Sequence, residues 1–248
     1  MVRISAIGSG SARRLGISAA LIAAAFATQA ASAVSFFDGV FNDPDWTLSN
    51  FVNATGVGSS SAAFQMPVGG NPNEYRIVRH NLVVTAPGNG QYTGVHLKNT
   101  AIYNPATQGA ITSIDYSEDS INFLANVPGN GQGSGLAIYQ AGKFYVQRTP
   151  ILVMPYAGYS NWTANTALGL VATDLHEIDI TGFINPFSNP DFSAAGAPMQ
   201  FGFWRGNSGN GSYNTECGID NWHVNIVPAP GAAALIAMGG LVAARRRR

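Results

Sequence analysis

Residues 218–226, near the carboxyl end, read Gly-Ile-Asp-Asn-Trp-His-Val-Asn-Ile. This stretch combines β-branched and aromatic residues, which favour an extended backbone, and it follows the turn-like region 207–211. We therefore predict a β-strand here, the last strand of the folded body. A strand needs neighbours for its backbone hydrogen bonds, so the fold depends on which other segments are also strands.

The body of the chain, residues 34–226, is rich in Gly, Asn, Ser and Thr and poor in Lys, Glu and Leu, which disfavours long helices. Turn sequences at 69–72, 87–90, 104–105, 128–131 and 207–211 separate strand-like runs. The predicted strands are 75–84, 94–97, 111–117, 120–126, 135–140, 143–148, 200–205 and 218–226, with a hairpin turn at Ala141-Gly142. About ten strands without a strong helix predict a β-sandwich.

The final strand also carries a family resemblance. Its pattern G-I-D-N-x-x-V, starting at Gly218, resembles the last strand of concanavalin-like and galactose-binding-like jelly rolls. This resemblance implies that the first strand, at Phe36-Phe37-Asp38-Gly39, pairs near the last one. The expected fold is all-β, a jelly-roll-like sandwich flanked by an N-terminal signal helix and a C-terminal apolar sorting helix.

The amino-terminal segment, residues 1–33, predicts a secretory signal peptide. Basic residues are followed by an apolar run at 15–27 and by the small-x-small pattern Ala31-Ser32-Ala33. The apolar run is short for a membrane span of about 20 residues, which favours cleavage by signal peptidase after Ala33 over a permanent anchor.

The carboxyl-terminal segment predicts a sorting signal. Val227, Pro228, Ala229 and Pro230 precede an apolar stretch at 231–244, which is followed by Arg245, Arg246, Arg247 and Arg248. The terminal charges favour retention on the cytoplasmic side, so the segment would insert transiently in the inner membrane. This order resembles the PEP-CTERM sorting domain, although Pro-Ala-Pro replaces the usual Pro-Glu-Pro. The resemblance implies processing by an exosortase and delivery to the surface or extracellular matrix of a Gram-negative bacterium that makes exopolysaccharide; a plain C-terminal anchor is the alternative.

Charge and cysteine content narrow the possible functions. The two ends hold seven of the 13 basic residues and none of the 13 acidic ones, so the body carries about −7. An acidic body repels phosphate backbones and argues against nucleic-acid binding. Cys217 is the one cysteine, which excludes an intrachain disulfide, and we expect it to be buried.

Two motifs could suggest catalysis. Glu177-Ile178-Asp179-Ile180-Thr181 resembles the E-I-D-I-E motif of family 16 glycoside hydrolases, which would make Glu177 a nucleophile with Asp179 on the same face of a strand. Retaining hydrolysis needs a second carboxyl group, and Thr181 and Gly182 stand where it is expected. The glycine-rich stretch 129–135 predicts a loop rather than a phosphate-binding turn. We therefore expect no enzyme activity.

Metal and sugar sites are the other candidates. By resemblance to calcium-binding jelly rolls, Asp38 and Asp220 on the first and last strands would hold a structural Ca²⁺, with turn-forming carboxylates as the alternative. The histidines show no zinc-binding spacing. Aromatic residues in the loops could stack on sugars; they are Tyr156, Tyr159, Trp162, Trp204 and Tyr213, with Trp162, Trp204 and Tyr213 as the chosen glycan-binding candidates.

The expected function is therefore a non-catalytic, structural or adhesive protein of the cell surface or matrix. A carbohydrate-binding module that recognises exopolysaccharide is the alternative, and a glycosidase that uses Glu177 is a third. Signal peptidase and exosortase are the expected partners during export.

Overall fold

The computed structural model describes residues 33–125, 131–154 and 158–230. These residues form an all-β sandwich of two antiparallel sheets, which confirms the predicted architecture. Both predicted terminal helices, the signal peptide up to residue 32 and the arginines at 245–248 lie outside the described residues. Within the described ranges, no helix has the length and the apolar character that a membrane crossing requires.

Most of the described backbone is strand. The strands are β1 (Val34–Asp38), β2 (Trp46–Val52), β3 (Ser60–Gly70), β4 (Asn73–Leu82), β5 (Gly90–Tyr103), β6 (Ile111–Ala125), β7 (Gln132–Gln140), β8 (Lys143–Gln147), β9 (Ile151–Val153), β10 (Thr163–Leu170), β11 (Leu175–Ile178), β12 (Ile184–Asn185), β13 (Met199–Gly209) and β14 (Tyr213–Pro228). A one-turn helix, α1 (Pro105–Gln108), and short 3-10 turns at Asp43–Asp45, Ala54–Gly56 and Ala172–Asp174 connect them.

The two sheets differ in size. The six-stranded sheet has the order β10-β6-β14-β4-β3, and β1 also pairs with β14. The eight-stranded sheet has the order β12-β11-β8-β7-β13-β5-β2, and β9 also pairs with β7. Strands β14 and β13 therefore lie in the middle of their sheets, with neighbours on both sides.

The hairpin between β7 and β8 confirms the predicted turn. Gln140 pairs with Lys143, and the two residues between them have φ angles of 51° at Ala141 and 82° at Gly142. Positive φ at both central residues is the geometry whose twist suits a two-residue hairpin, and glycine adopts it without steric cost.

The first and last strands pair as the jelly-roll resemblance implies, with Val34 opposite Ile226 and Phe37 opposite His223. Strand β14 continues past the predicted end of the body, because Val227 pairs with Ser113 and Pro228 with Ile111. Half of the predicted Val227–Pro230 element is thus part of the sheet.

Strand β14 is not regular over the predicted stretch 218–226. Asp220 lies opposite Asp119 and His223 lies opposite Ser117, so β14 has one residue more than β6 between these pairs. Asn221 occupies this β-bulge with a φ of 49°. A bulge changes which side chains face each side of a strand, and here it directs Trp222 into the core.

Aromatic side chains fill the space between the sheets. Trp46 packs edge-on against Trp222 with ring centroids 5.2 Å apart, and against Phe203 at 5.3 Å. Cys217 is fully buried on the inner side of β14, as expected. These contacts join the two sheets into one hydrophobic core.

A buried ion pair also lies between the sheets. Glu118 and Arg205 are both fully buried, and Nη2 of Arg205 lies 3.3 Å from Oε1 of Glu118. Ser120 and Ser134 donate hydrogen bonds to the same carboxylate, as does the hydroxyl of Tyr116. The carboxylate is thereby satisfied without water, which a buried charge requires.

Candidate functional site

Trp204 lies on the outward face of the eight-stranded sheet, because its neighbours Phe203 and Arg205 on β13 point inward. Its indole rests on glycines. A methyl group added at Gly135 would lie 3.0 Å from Nε1, one at Gly133 would lie 3.0 Å from Cη2, and one at Gly206 would lie 2.9 Å from Cζ3. Contacts at both ends of the ring system show that the indole lies flat on the backbone of β7 and β13.

An open groove of about 300 Å³ follows this face of the sheet. We call it the Trp204 groove. Its lining residues are Gln91, Thr93, Gly131, Gly133, Val146, Pro150, Leu152, Met154, Ile178, Ile184, Trp204, Gly206, Asn207, Ser208 and Tyr213. The floor of the groove follows one row of paired residues. Gly206 pairs with both Thr93 and Gly133, and Gly133 pairs with Leu152. This row crosses four adjacent strands and has glycine at its two central positions.

The Trp204 groove offers apolar surface and neutral hydrogen-bonding groups. A side-chain amide comes from Gln91, and hydroxyl groups come from Thr93 and Ser208. None of the described residues that line it carries a charge. Such a surface suits an uncharged ligand with both apolar faces and hydroxyl groups.

The sugar-binding candidates chosen from the sequence lie on both sheets. Trp204 and Tyr213 line the same groove, although Tyr213 is largely buried and its hydroxyl donates to the carbonyl of Ser208 at 3.0 Å. Trp162 lies on the opposite sheet over Gly218, where its Nε1 donates to the carbonyl of Gly69 at 2.9 Å.

The two remaining tyrosine candidates do not join the groove lining. Tyr159 is buried, and its hydroxyl donates to Oδ1 of Asn165. Tyr156 lies outside the described residues.

The calcium candidate Asp38 is already bound by protein donors. Its Oδ1 accepts hydrogen bonds from the amides of Val40 and Phe41, and its Oδ2 accepts from Trp46 at 3.0 Å and from Lys98 at 2.6 Å. Burial would raise the pKa of Asp38, but the Lys98 ammonium and the two amides hold it below its ordinary value.

Asp220 lies close enough to Asp38 and Asp119 for their negative charges to act on its carboxyl group. Burial and the charges of these two carboxylates raise the pKa of Asp220, although the amides of Asn71 and Asn221 donate to it. No group of three His, Cys, Asp or Glu side chains within the described ranges has a metal-site arrangement. The predicted Ca²⁺ at Asp38 and Asp220 stays a prediction.

The strand placement expected for the hydrolase-like motif is wrong. Strand β11 ends at Ile178, and Asp179 starts a turn in which its Oδ1 accepts hydrogen bonds from the amides of Thr181 and Phe183. Glu177 therefore does not share a strand face with Asp179. Lys143 donates to Glu177 at 2.8 Å, and this hydrogen bond lowers the pKa of the carboxyl group.

The glycine-rich stretch 129–135 was assigned to a loop from sequence, and this assignment is wrong for its second half. Strand β7 begins at Gln132, and Gly133 and Gly135 are two of the three glycines below the indole. The sequence contains the necessary signal, since glycines alternate at 131, 133 and 135 as the side chains of one strand face do. That pattern becomes informative only once a tryptophan is known to lie opposite.

No protein-family model matches the chain, and no curated protein matches it. Among solved structures, it is similar to a family 11 carbohydrate-binding module of the cellulosomal cellulase Lic26A-Cel5E of Clostridium thermocellum. The identity is 11%, the TM-score is 0.42, and the match covers 80% of this chain and 96% of that chain. A likeness of this strength does not bear on function.

Proposed function

We propose that the protein is an exported, non-catalytic surface or matrix component whose sandwich binds a neutral glycan in the Trp204 groove. The observation that carries the proposal is the indole of Trp204, laid flat on Gly133, Gly135 and Gly206 in an open groove. A sugar ring has an apolar C–H face that stacks on such a surface, and its hydroxyl groups project sideways towards hydrogen-bonding partners.

The lining supports a neutral ligand over an acidic one. Gln91 and Ser208, which are at least partly exposed, supply groups that both donate and accept hydrogen bonds, as sugar hydroxyls require. No described lining residue offers a cation for a uronic acid or a sulfate. The acidic body, at about −7, would in addition repel an acidic polymer at low ionic strength.

Affinity electrophoresis of the purified protein in gels that contain single polysaccharides tests this proposal. The gels would hold a mixed-linkage β-glucan, an α-glucan, a galactomannan or, as the acidic comparison, alginate. We expect retardation by a neutral polymer and about a tenfold weaker interaction for Trp204→Ala, which corresponds to about 1.4 kcal/mol.

Trp162→Ala is the matched control, because Trp162 is also a partly exposed tryptophan that rests on a glycine, but on the other sheet. We expect it to bind like the wild type. Binding that Trp162→Ala weakens and Trp204→Ala does not would move the site to the other sheet, and the absence of retardation by every neutral polymer would overturn the proposal.

Export and sorting complete the proposed function, and the two terminal sequence patterns support them. The extended pairing of β1 with β14 also supports assignment of the sandwich to the jelly-roll kind.

Because the amide of Ala229 still donates to the carbonyl of Ala110 at 2.6 Å, we propose that the processing enzyme cuts after Ala229. Mass spectrometry of the protein from its own host is expected to give Val34 as the first residue and a last residue no earlier than Ala229.

A further inference from the structure

The outward face of the six-stranded sheet carries a second groove, on the opposite side of the sandwich from Trp204. Its volume is about 440 Å³. The residues of its lining on which the inference rests are Phe37, Ser117, Asp119, Thr166, Asn221 and His223. We call it the Phe37 groove.

Four of these side chains form a row across four neighbouring strands. Phe37 on β1 lies opposite His223 on β14, which lies opposite Ser117 on β6. Ser117 in turn lies opposite Thr166 on β10. Three strand spacings give the row a length of about 14 Å, which suits an elongated ligand lying across the strands.

One end of the row is aromatic and the rest is polar. Phe37 is 61% exposed, and its ring makes an edge contact with His223, with centroids 6.3 Å apart. The hydroxyls of Ser117 and Thr166 make no hydrogen bond within the described part of the chain, so they are available to a ligand. An exposed ring beside unpaired hydroxyls is again the combination that a sugar chain requires.

The β-bulge of β14 builds the wall of this groove. It places the side chain of Asn221 on the outward face, where its Nδ2 donates to Oδ2 of Asp119 at 2.7 Å. The side chain of Asn71 donates to the same oxygen at 3.0 Å, so the carboxylate is held in one orientation. Its Oδ1 has no partner among the described residues and can accept a hydrogen bond from a sugar hydroxyl.

We propose that the Phe37 groove binds a second glycan chain, so that one molecule bridges two polysaccharide chains from opposite faces of the sandwich. This inference rests on the proposed function of the Trp204 groove. It also joins the two functions expected from the sequence, because a bivalent glycan binder cross-links a matrix and is thereby a structural component.

Two measurements on the purified protein test the proposal. Calorimetric titration with a hexasaccharide of the neutral polymer that retards the protein is expected to give two bound ligands per chain. Turbidity with the polymer itself is expected to rise because of cross-linking. Phe37→Ala and Trp204→Ala are each expected to weaken one of the two sites about tenfold. At the ligand concentration that just saturates the intact site, each variant then binds about one ligand per chain and turbidity falls, while the double variant is weakened at both sites.

Phe187→Ala is the matched control, since Phe187 is 93% exposed and lines neither groove. Ser117→Tyr provides a second variant, which fills the Phe37 groove without removing the aromatic ring. A wild-type stoichiometry of one, or unchanged turbidity in both Phe37→Ala and Ser117→Tyr, would overturn the bivalent model and leave the Trp204 groove intact.

Two other outcomes also decide the question. If Phe37→Ala converts a wild-type dimer to a monomer in sedimentation without sugar, the groove is an interface between copies of the chain and the proposal fails. If the wild type binds no neutral glycan, the proposed function fails first and bivalent binding fails with it.

Discussion

The two faces of β13 differ in chemistry although they belong to the same eleven-residue strand. Its inward side chains include Phe203 and Arg205, which are fully buried between the sheets. Its outward residues include Trp204 and Gly206, which form the floor of a groove. Because successive residues of a strand point to opposite faces, one strand can stabilise the sandwich with one set of residues and bind a ligand with the other. We therefore expect changes to the two sets to have separate effects.

The largest effect is expected on the inward face. Arg205→Met leaves Glu118 buried without its cationic partner, and breaking a buried pair in this way costs about 3–5 kcal/mol of unfolding free energy. Urea unfolding measures the loss. Adding Glu118→Gln should recover part of the lost stability, because the amide carries no charge. A loss below about 1 kcal/mol for Arg205→Met would contradict the assignment of stability to the inward residues of β13.

Low pH should also destabilise the protein through two buried histidines between the sheets, His80 and His96. Burial lowers the pKa of His80 from 6.5 to about 4, and burial together with the charge of Arg76 lowers the pKa of His96. The folded state therefore binds fewer protons than the unfolded chain below pH 6.5. Stability is complete above that pH and falls as the pH falls towards 4, by about 3 kcal/mol from His80 alone.

Urea unfolding at several pH values from 7 to 4 measures this dependence, with His80→Gln as the comparison. The variant should show a flatter dependence than the wild type. The glycan affinity of the Trp204 groove should stay constant over the same range while the protein remains folded, because the described lining of this groove contains no His, Asp or Glu. Equal slopes for wild type and variant would contradict the assignment to His80.

A smaller loss of stability is expected on the outward face. The methyl group of Gly135→Ala would lie 2.9 Å from Oε1 of Gln147 and 3.0 Å from Nε1 of Trp204, which displaces the indole. We expect about 1 kcal/mol of destabilisation and about a tenfold loss of glycan affinity. Gly211→Ala is the matched control, because no atom lies within 4 Å of its added methyl group. Equal glycan binding by Gly135→Ala and Gly211→Ala would show that glycan binding does not need the Trp204 indole to lie flat on the sheet.

The smallest effect is expected from a chelator. All four acceptor positions of the Asp38 carboxylate are taken by protein donors. Removal of calcium should therefore leave the melting temperature unchanged. A lower melting temperature with chelator would support the Ca²⁺ predicted at Asp38 and Asp220 and would require a rearrangement of Lys98.

Several parts of the fold could be predicted because they depend on local sequence. Turn residues separated the strands, Ala141-Gly142 marked the hairpin, and the two ends of the body were expected to pair. The first two features follow from backbone preferences of a few consecutive residues, and the third was implied by the resemblance of the last strand to jelly-roll strands. The end of β11 at Ile178 was missed because the Asp179 side chain caps a turn that the alternating sequence conceals.

The candidate sites depend on register, which a single sequence does not contain. Trp162, Trp204 and Tyr213 looked equivalent in the chain, but the fold separates them. Trp162 lies over the six-stranded sheet, whereas Tyr213, at the start of β14, reaches the groove that Trp204 lines on the eight-stranded sheet. The role of Gly133 and Gly135 follows only from the pairing of β7 with β13. The Phe37 groove was not predicted at all, because its row joins four strands that are distant in sequence.

Composition and short segments were enough to predict the all-β class, the segmentation into strands and the uneven charge of body and ends. Which faces are buried, where the bulge at Asn221 interrupts the last strand and which side chains share a groove became known only from the folded chain. The physical reason is that strand pairing brings together residues far apart in the chain, and a shift of one residue would exchange the inward and outward faces of every strand.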